Sequence, residues 1–376
     1  MATGNLVLSE RSGGAGPAMA DRLDEYRRKR DRAKTPEPWP DGAPEPGQDD
    51  LFVIQEHHAS RLHWDFRFER DGVLVSWAVP KGLPRSPGVN RLAVHTEDHP
   101  MEYLAFEGEI PAGEYGGGWM AIWDTGRYET LHWNDHKVEV VFHGTKASGK
   151  YLFQNRHNPE DEGDWTLRRL DPAEAGHEDA PEFLEPMRAV PGELPPAAED
   201  TDWAYEFAWG GARTMLCVSG GRLTAHDGSG ADVTGRYPEL HKLGESLGST
   251  EVLLDGEIVV IRDGRPDPEG LRERGRFDGY DAKRIMKHKP AFFFAYDVLH
   301  HEGRPTLELP YLERRALLAD LDLTGGTWQV PQYFEGNGEA VLGAARQHGL
   351  GGIYAKRADS GYAPGEADGT WLHIET

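Results

Sequence analysis

Between Leu51 and Arg169, apolar and polar residues alternate over short runs interrupted by Gly, Pro and Asp. Alternation with a period of two sends successive side chains to opposite faces of a strand. The stretch therefore reads as many short strands, arranged as a barrel or a sandwich. The Asp71-Gly72 pair between two alternating runs reads as a tight hairpin, since both residue types tolerate positive φ.

The remainder of the chain reads differently. Residues 22–34 have a helical pattern, ended by Thr35-Pro36-Glu37-Pro38, and a Pro/Gly-rich stretch runs on to Gln48. Residues 171–182 are polar and acidic, with prolines at 172 and 181, and read as a linker. Beyond them strands and helices mix: Phe292–Leu299 has the pattern of a buried strand, and Leu309–Leu321 is helical in period. The expected fold class is α+β. An N-terminal β-barrel occupies 22–170, followed after the 171–182 linker by a domain of antiparallel sheets and helices over 183–376. Residues 1–21, rich in Gly, Ala and Ser, are expected to be a disordered lead-in rather than a signal peptide, because they lack a central apolar stretch.

No apolar run approaches the ~18 residues of a membrane helix. The single cysteine, Cys217, excludes an internal disulfide and fits a reducing cytosol. A net charge of −23 argues against a protein that coats nucleic acid by bulk electrostatics, but not against a local basic site. The densest positive run is Arg27, Arg28, Lys29, Arg30, Arg32 and Lys34. By spacing it is either a solvated helix face or a phosphate-facing segment. Its place just before the strongest motif favours the second.

That motif is Phe52-Val-Ile-Gln-Glu-His57-His58-Ala-Ser-Arg61-Leu-His63-Trp-Asp65-Phe-Arg67-Phe-Glu69. On a strand, His63, Asp65, Arg67 and Glu69 share one face, and Leu62, Trp64, Phe66 and Phe68 form the core face. Most polar strand faces are merely solvated, but those favour Lys, Thr and Ser. Here His57, His63 and Asp65 make a mixed nitrogen–oxygen ligand set suited to Mn²⁺, Zn²⁺ or a similar ion. Arg67 beside them supplies a fork that matches phosphate oxygens, and metal plus guanidinium is a phosphoester-cleaving pair. A second polar cluster follows: Lys81 ends the Trp77–Gly82 run, and Arg91, His95, Glu97 and His99 share parity, with no role fixed by spacing.

Together these stretches, with Ser76-Trp-Ala-Val-Pro-Lys81-Gly, Arg91-Leu-Ala-Val-His-Thr-Glu-Asp-His99-Pro and Phe106-Glu-Gly-Glu-Ile-Pro-Ala-Gly-Glu-Tyr-Gly, closely resemble the 3′-phosphoesterase domain of bacterial DNA ligase D. The resemblance implies a small β-barrel that binds Mn²⁺, with Co²⁺ or Zn²⁺ as alternatives. Its implied activity is removal of 3′-phosphates and 3′-terminal ribonucleotides from DNA ends. It places His57, His63 and Asp65 on the metal ligands. Arg67, Lys81, Arg91 and His99 fall on residues that hold or neutralise the scissile phosphate, and Tyr103 on a further site residue. Arg30, Asp31 and Glu37 match an N-terminal segment that completes the site. His58 departs from the family, which commonly has Asp there, and its side chain should point away from His57 and His63.

Residues 183–376 resemble the adenylation domain of ATP-dependent DNA ligases. The supporting stretches are Asp202–Arg213, Leu254-Asp255-Gly256-Glu257, Phe294-Ala-Tyr-Asp297, Leu309–Arg315 and Ala355-Lys356-Arg357. The family's nucleophilic lysine is replaced by Ala208, and the Asp two residues on by Gly210. The Ser-Arg-Asn-Gly turn reads Asp227-Gly228-Ser229-Gly230, the late glutamate is Gly351, and the terminal lysines read His373 and Glu375. Followed to Thr376, the resemblance leaves no expected oligonucleotide-binding-fold domain. A methyl side chain offers no nucleophile, so neither ligation nor ATP use is expected.

The expected protein is thus a cytoplasmic, nucleoid-associated enzyme of DNA repair that processes 3′ ends through its first half. The alternative is a non-catalytic DNA-end-binding adaptor of an end-joining complex. The resemblance implies Ku and separate end-joining polymerase or ligase proteins as partners, and no membrane association.

Overall fold

A computed structural model describes residues 22–40, 45–157 and 163–376. The expected lead-in over 1–21 lies outside the described residues.

The alternating half forms β1 (Leu51–His58), β2 (Leu62–Arg70), β3 (Val73–Val79), β4 (Asn90–His95), β5 (Gly108–Ile110), β6 (Gly118–Asn134), β7 (Lys137–Gly144), β8 (Ser148–Asn155) and β9 (Asp164–Arg169). Their order is β1-β2-β3-β4-β9-β8-β7-β6, and β1 pairs back onto β6, so eight antiparallel strands close a barrel with β5 added outside β6. Closure removes both sheet edges. Asp71 and Gly72 have φ of 52° and 80°, the double positive φ that the β2–β3 hairpin requires.

The inward face is the one the alternation marked. Leu62, Trp64, Phe66 and Phe68 join Phe52, Ile54, Trp77, Phe142 and Phe153 in one buried cluster. Each large side chain buried here contributes roughly 1.5–3 kcal/mol. The outward face of β1–β3 is not left to solvent. A short helix, α1 (Asp24–Lys29), and a 3₁₀ turn over Met101–Ala105 lie against it, packing Leu23, Tyr26 and Tyr103 on Val73, Leu74, Ile110 and Met120.

One sequence expectation is corrected here. The helix read over 22–34 stops at Lys29, because Arg30 turns extended (φ −124°, ψ 152°) to reach Glu37 and Glu97. The basic run is also tied into ion pairs: Arg27 with Asp24, Arg28 with Glu25, Lys29 with Glu25 and Glu97, and Lys34 with Asp31. The pairs of Lys29 and Arg30 with Glu97 hold the N-terminal segment against the barrel.

The second half contains a five-stranded and a seven-stranded sheet. The first is built around Trp203–Ala208, Gly352–Arg357 and Trp371–Glu375. The second runs through Arg222–Asp227, Ala212–Ser219, Val252–Arg262 and Ala291–His301. The helix Tyr311–Asp320 packs on the last of these strands, inside the stretch read as helical. No helix among the described residues is long and apolar enough to cross a membrane.

Candidate metal centre and the ligase-like pocket

His57 at the end of β1 and His63 at the start of β2 are direct antiparallel partners, and Asp65 follows two residues along β2. The β1–β2 hairpin therefore sets all three side chains on one outward patch. One nitrogen or oxygen from each lies within 4.8 Å of the others, and the imidazole centroids are 4.7 Å apart. His58, one residue on, turns to the opposite face, where it meets Glu56 at 2.7 Å and the Trp119 ring at 5.5 Å.

The outer nitrogen of each imidazole is fixed by the backbone. His57 Nε2 is 2.8 Å from the Gly116 carbonyl oxygen, and His63 Nδ1 is 3.0 Å from that of Arg61. A carbonyl only accepts, so those nitrogens carry the protons and the inner ones keep free lone pairs. His57 Nδ1 and His63 Nε2 then face Asp65 at 3.4 and 3.6 Å. His57 Nδ1 is buried with no hydrogen-bond partner. Backbone-anchored imidazoles with inward lone pairs beside a carboxylate are what a divalent cation requires, so the residues fit a metal.

Burial opposes ionisation of Asp65, but the Arg67 guanidinium beside it outweighs that and holds the carboxyl well below its usual range. Arg67 is itself almost wholly buried. Nη2 donates to Asp65 at 2.9 Å, Nε to Gln55 at 2.7 Å and Nη1 to Ser76 at 3.1 Å. Three of its five N–H groups are thus engaged, one of them on Asp65, which fixes the carboxylate in place.

The N-terminal segment brings Arg30 and Glu37 to the same face. Arg30 donates to Glu37 at 2.7 Å, to Glu97 at 2.7 Å, and lies 3.1 Å from His99 Nε2. Tyr103 donates to Glu37, and its ring lies under the Arg67 guanidinium at 4.8 Å. His99 Nδ1 donates to the Glu97 carbonyl at 2.8 Å, so Nε2 faces Arg30 as an acceptor. Burial, Arg67 and Arg30 together keep His99 neutral, well below its ordinary pKa. Asp31 stays on the surface, capping the Ala33 amide and meeting Lys34.

Two expected residues are not brought to this patch. The parity argument fails beyond β4, because the strand stops at His95. Arg91 shares the inward parity of the core residue Ala93, whereas Glu97 and His99 lie past the strand and face Arg30. Lys81 follows the end of β3. The charges that act on Lys81 are Arg91, Arg222 and Glu182, and those on Arg91 are Glu251 and Asp179, none of them in the triad. Sequence reasoning also missed Gln55 and gave Glu97 no role. Gln55 shares parity with His57 and is fully buried, bonded to Arg67 and to the carbonyls of Tyr103 and Phe106. A glutamine at that parity, directly after the apolar run Leu51–Ile54, was the available signal.

In the second half, Ala208 ends the strand Trp203–Ala208, buried opposite Gly352. The charged residues that remain pair with one another. Lys356 meets Glu206 at 2.6 Å under the Trp371 ring, and Tyr311 donates to the same carboxylate at 2.6 Å. Arg213 pairs with Asp255, which also accepts from Tyr362 at 2.8 Å, and Glu257 accepts from Tyr296 and from the Gly211 amide. Burial is the main cause that lowers the Lys356 pKa and raises that of Glu257.

Nearby, Cys217 is buried and its thiol is pushed up to about 12, first by burial and then by Glu251 and Glu182. At pH 8 roughly one such thiol in 10⁴ is a thiolate, so alkylation by iodoacetamide should be at least ~100-fold slower in the native chain than in denaturant. Mass spectrometry of time-quenched samples checks this, and equal rates would mean that the thiol is accessible and unshifted.

Comparison with known proteins agrees with this division. A family model for the DNA ligase D 3′-phosphoesterase domain matches residues 55–155, and one for the ATP-dependent DNA ligase domain matches residues 186–374. The multifunctional non-homologous end joining protein LigD of Mycobacterium bovis is 42% identical over 367 residues, covering 95% of this chain and 46% of that protein. The Pseudomonas aeruginosa protein of the same name is 32% identical over 410 residues, covering 94% and 47%. The chain thus spans about half the length of these relatives. A solved mycobacterial DNA ligase D complexed with ATP and MES covers 51% of this chain and 60% of that chain at 34% identity, with a TM-score of 0.44. The chain belongs to the DNA ligase D family, with a 3′-phosphoesterase domain and an ATP-dependent ligase domain in succession.

Proposed function

We propose that the chain is a Mn²⁺-dependent phosphoesterase that removes 3′-phosphates and 3′-terminal ribonucleotides from DNA ends, joined to a ligase-like half that does not ligate. The observation that carries this reading is the pair of backbone-anchored imidazoles turned toward Asp65, with a buried lone pair on His57 Nδ1. His57, His63 and Asp65 would hold a divalent cation, which supplies Lewis acidity toward a phosphoryl oxygen. Arg67 keeps Asp65 ionised and oriented. Arg30 places positive charge beside neutral His99, where charge on phosphate oxygens needs stabilising. Tyr103 and Glu37 fix Arg30 and the N-terminal segment over the patch.

The relatives' name supports placing this activity in end joining, with Ku and separate polymerase or ligase proteins as proposed partners. The domain division 22–170, 171–182 and 183–376 is proposed on the same basis. The test is release of 3′-phosphate, or of a 3′-ribonucleotide, from a primer–template duplex with Mn²⁺ and with EDTA. Release only with Mn²⁺ is expected. No release with Mn²⁺, Co²⁺ or Zn²⁺ would sink the esterase reading and favour a non-catalytic end-binding adaptor.

Loss of ligation rests on Ala208 and on the closure of the surviving charges upon one another. Incubation with ATP labelled on its α-phosphate should leave no covalent adduct on the chain. A labelled band stable to denaturant would show that another residue serves as nucleophile.

A further inference from the structure

Tyr115 is one of the few large apolar side chains exposed among the described residues, and it stands beside the metal triad. The carbonyl of the next residue, Gly116, is the one 2.8 Å from His57 Nε2. The loop that carries the ring is tightly formed. The Glu114 amide donates to the Pro111 carbonyl at 3.1 Å, and the Gly117 amide to that of Glu114 at 3.0 Å. Gly116 has a φ of 74°, and a Cβ on Gly117 would lie 2.8 Å from the Pro111 oxygen, so the turn needs glycine at both positions.

The ring itself is fixed as well. Lys29 donates to its hydroxyl at 3.3 Å and lies 4.8 Å from its centroid, with the Arg30 guanidinium at 5.3 Å. Yet no apolar cluster of the barrel takes the ring in, and 47% of the residue is exposed. Aromatic side chains gain from burial, so a ring held rigidly in solvent is an open apolar face. The polar groups beside it are the reverse. His57, Asp65, Arg67, His99 and the Arg30 side chain are all buried, and Lys29 is committed to Glu25 and Glu97. Trp119, the other exposed aromatic at this hairpin, pairs in register with His58 and lies against its ring at 5.5 Å, on the face turned away from the triad. On the triad's own side, Tyr115 is the flat apolar surface that an approaching molecule meets.

We propose that Tyr115 stacks on the base of the 3′-terminal nucleotide and so sets that nucleotide beside His63. Every nucleobase has a π face, and stacking on an aromatic ring tolerates any sequence, which suits a site that reads an end rather than a sequence. The ring is already ordered by its loop and by Lys29, so little freedom is lost when a base lands on it. Gly116 joins the ring to His57, so one loop holds both the base platform and an imidazole of the triad. Tyr115 is thus a positioning residue for the substrate. The choice of a DNA 3′ end as the ligand rests on the function proposed above.

Binding is read in EDTA with a primer–template whose last nucleotide is 2-aminopurine with a 3′-hydroxyl, an end that the proposed reaction leaves untouched. Emission of the 2-aminopurine reports stacking, and anisotropy of a 5′-fluorescein label gives Kd. The wild-type chain is expected to quench the terminal base. Tyr115→Ala and Tyr115→Leu should lose that quenching and raise Kd about tenfold, while Tyr115→Phe stays within about twofold of wild type. Leu and Phe both keep apolar bulk, so a difference between them reads the aromatic ring and not the fold of the loop. On a primer that ends in an abasic site, Tyr115→Ala should bind within about twofold of wild type, because the base it would stack on is gone. Tyr280→Ala removes a tyrosine that is 82% exposed on the helix Gly279–Ile285 and should change neither signal. Unaltered quenching and Kd in Tyr115→Ala and Tyr115→Leu would overturn the proposal. So would equal weakening on base-ended and abasic primers, or equal weakening by Tyr280→Ala. A wild-type chain that quenches the terminal base but releases no 3′-phosphate with Mn²⁺ would sink the esterase reading and leave the stacking site standing.

Discussion

Replacing His63 by alanine is expected to lower Mn²⁺-dependent 3′-end hydrolysis by ~10³-fold while the barrel stays folded. A polarising cation contributes several kcal/mol to such a reaction, and each 1.36 kcal/mol is about tenfold in rate. His63 is the suitable member of the triad to remove. Its side chain is 21% exposed and anchored only to the Arg61 carbonyl, so its loss leaves no buried partner unsatisfied. Asp65→Ala would be harder to interpret, because it strips Arg67 of its carboxylate in a buried setting. The checks are product release per unit time and the thermal unfolding midpoint of both proteins. Loss of activity with an unchanged midpoint supports the metal site. Full activity in His63→Ala would show that the triad is not the centre of the chemistry.

The largest stability effect is expected at Arg314. Arg314 and Asp297 are both fully excluded from solvent, joined by two hydrogen bonds of 2.8 and 3.0 Å. Arg314 also donates to the Ser360 carbonyl at 3.0 Å, tying the helix Tyr311–Asp320 to the strand Ala291–His301. Arg314→Met keeps much of the volume but leaves the Asp297 carboxylate with the Val298 amide as its remaining hydrogen-bond donor. Breaking a buried pair from one side costs roughly 3–5 kcal/mol, whereas replacing both partners by apolar groups is often near neutral. Arg314→Met should therefore lower the unfolding midpoint by roughly 10 °C. Asp297→Leu combined with Arg314→Met should recover most of that loss. A double variant no better than the single one would mean that the pair contributes through packing, not through charge.

What the residues determined without the fold was the set of strands and the candidate His-His-Asp group. Period-two alternation names the buried face of β2 directly, and the same rule placed His63 and Asp65 on the opposite face, where pairing of β1 with β2 brings His57. That inference needs only adjacent residues and one hairpin, and local geometry supplies both. The absence of a lysine at Ala208 is legible for the same reason, since a missing functional group needs no coordinates.

What only the tertiary structure decided depended on contacts far apart in sequence. The basic run before the motif had two open readings. The fold adds that Glu97 and Glu37 converge on Arg30 and Lys29, which holds this part of the run beside His99. Arg67 read as a phosphate fork, and only the fold shows that Gln55 and Ser76 on the flanking strands engage two of its N–H groups. Arg91 and His99 share parity in the sequence but part company where β4 stops at His95. Arg91 then faces Ser219, 128 positions away, and no periodicity spans that distance. Alternation is a property of one strand. Where a strand ends, and what folds across it, is fixed by the burial and pairing of charges contributed by the rest of the chain.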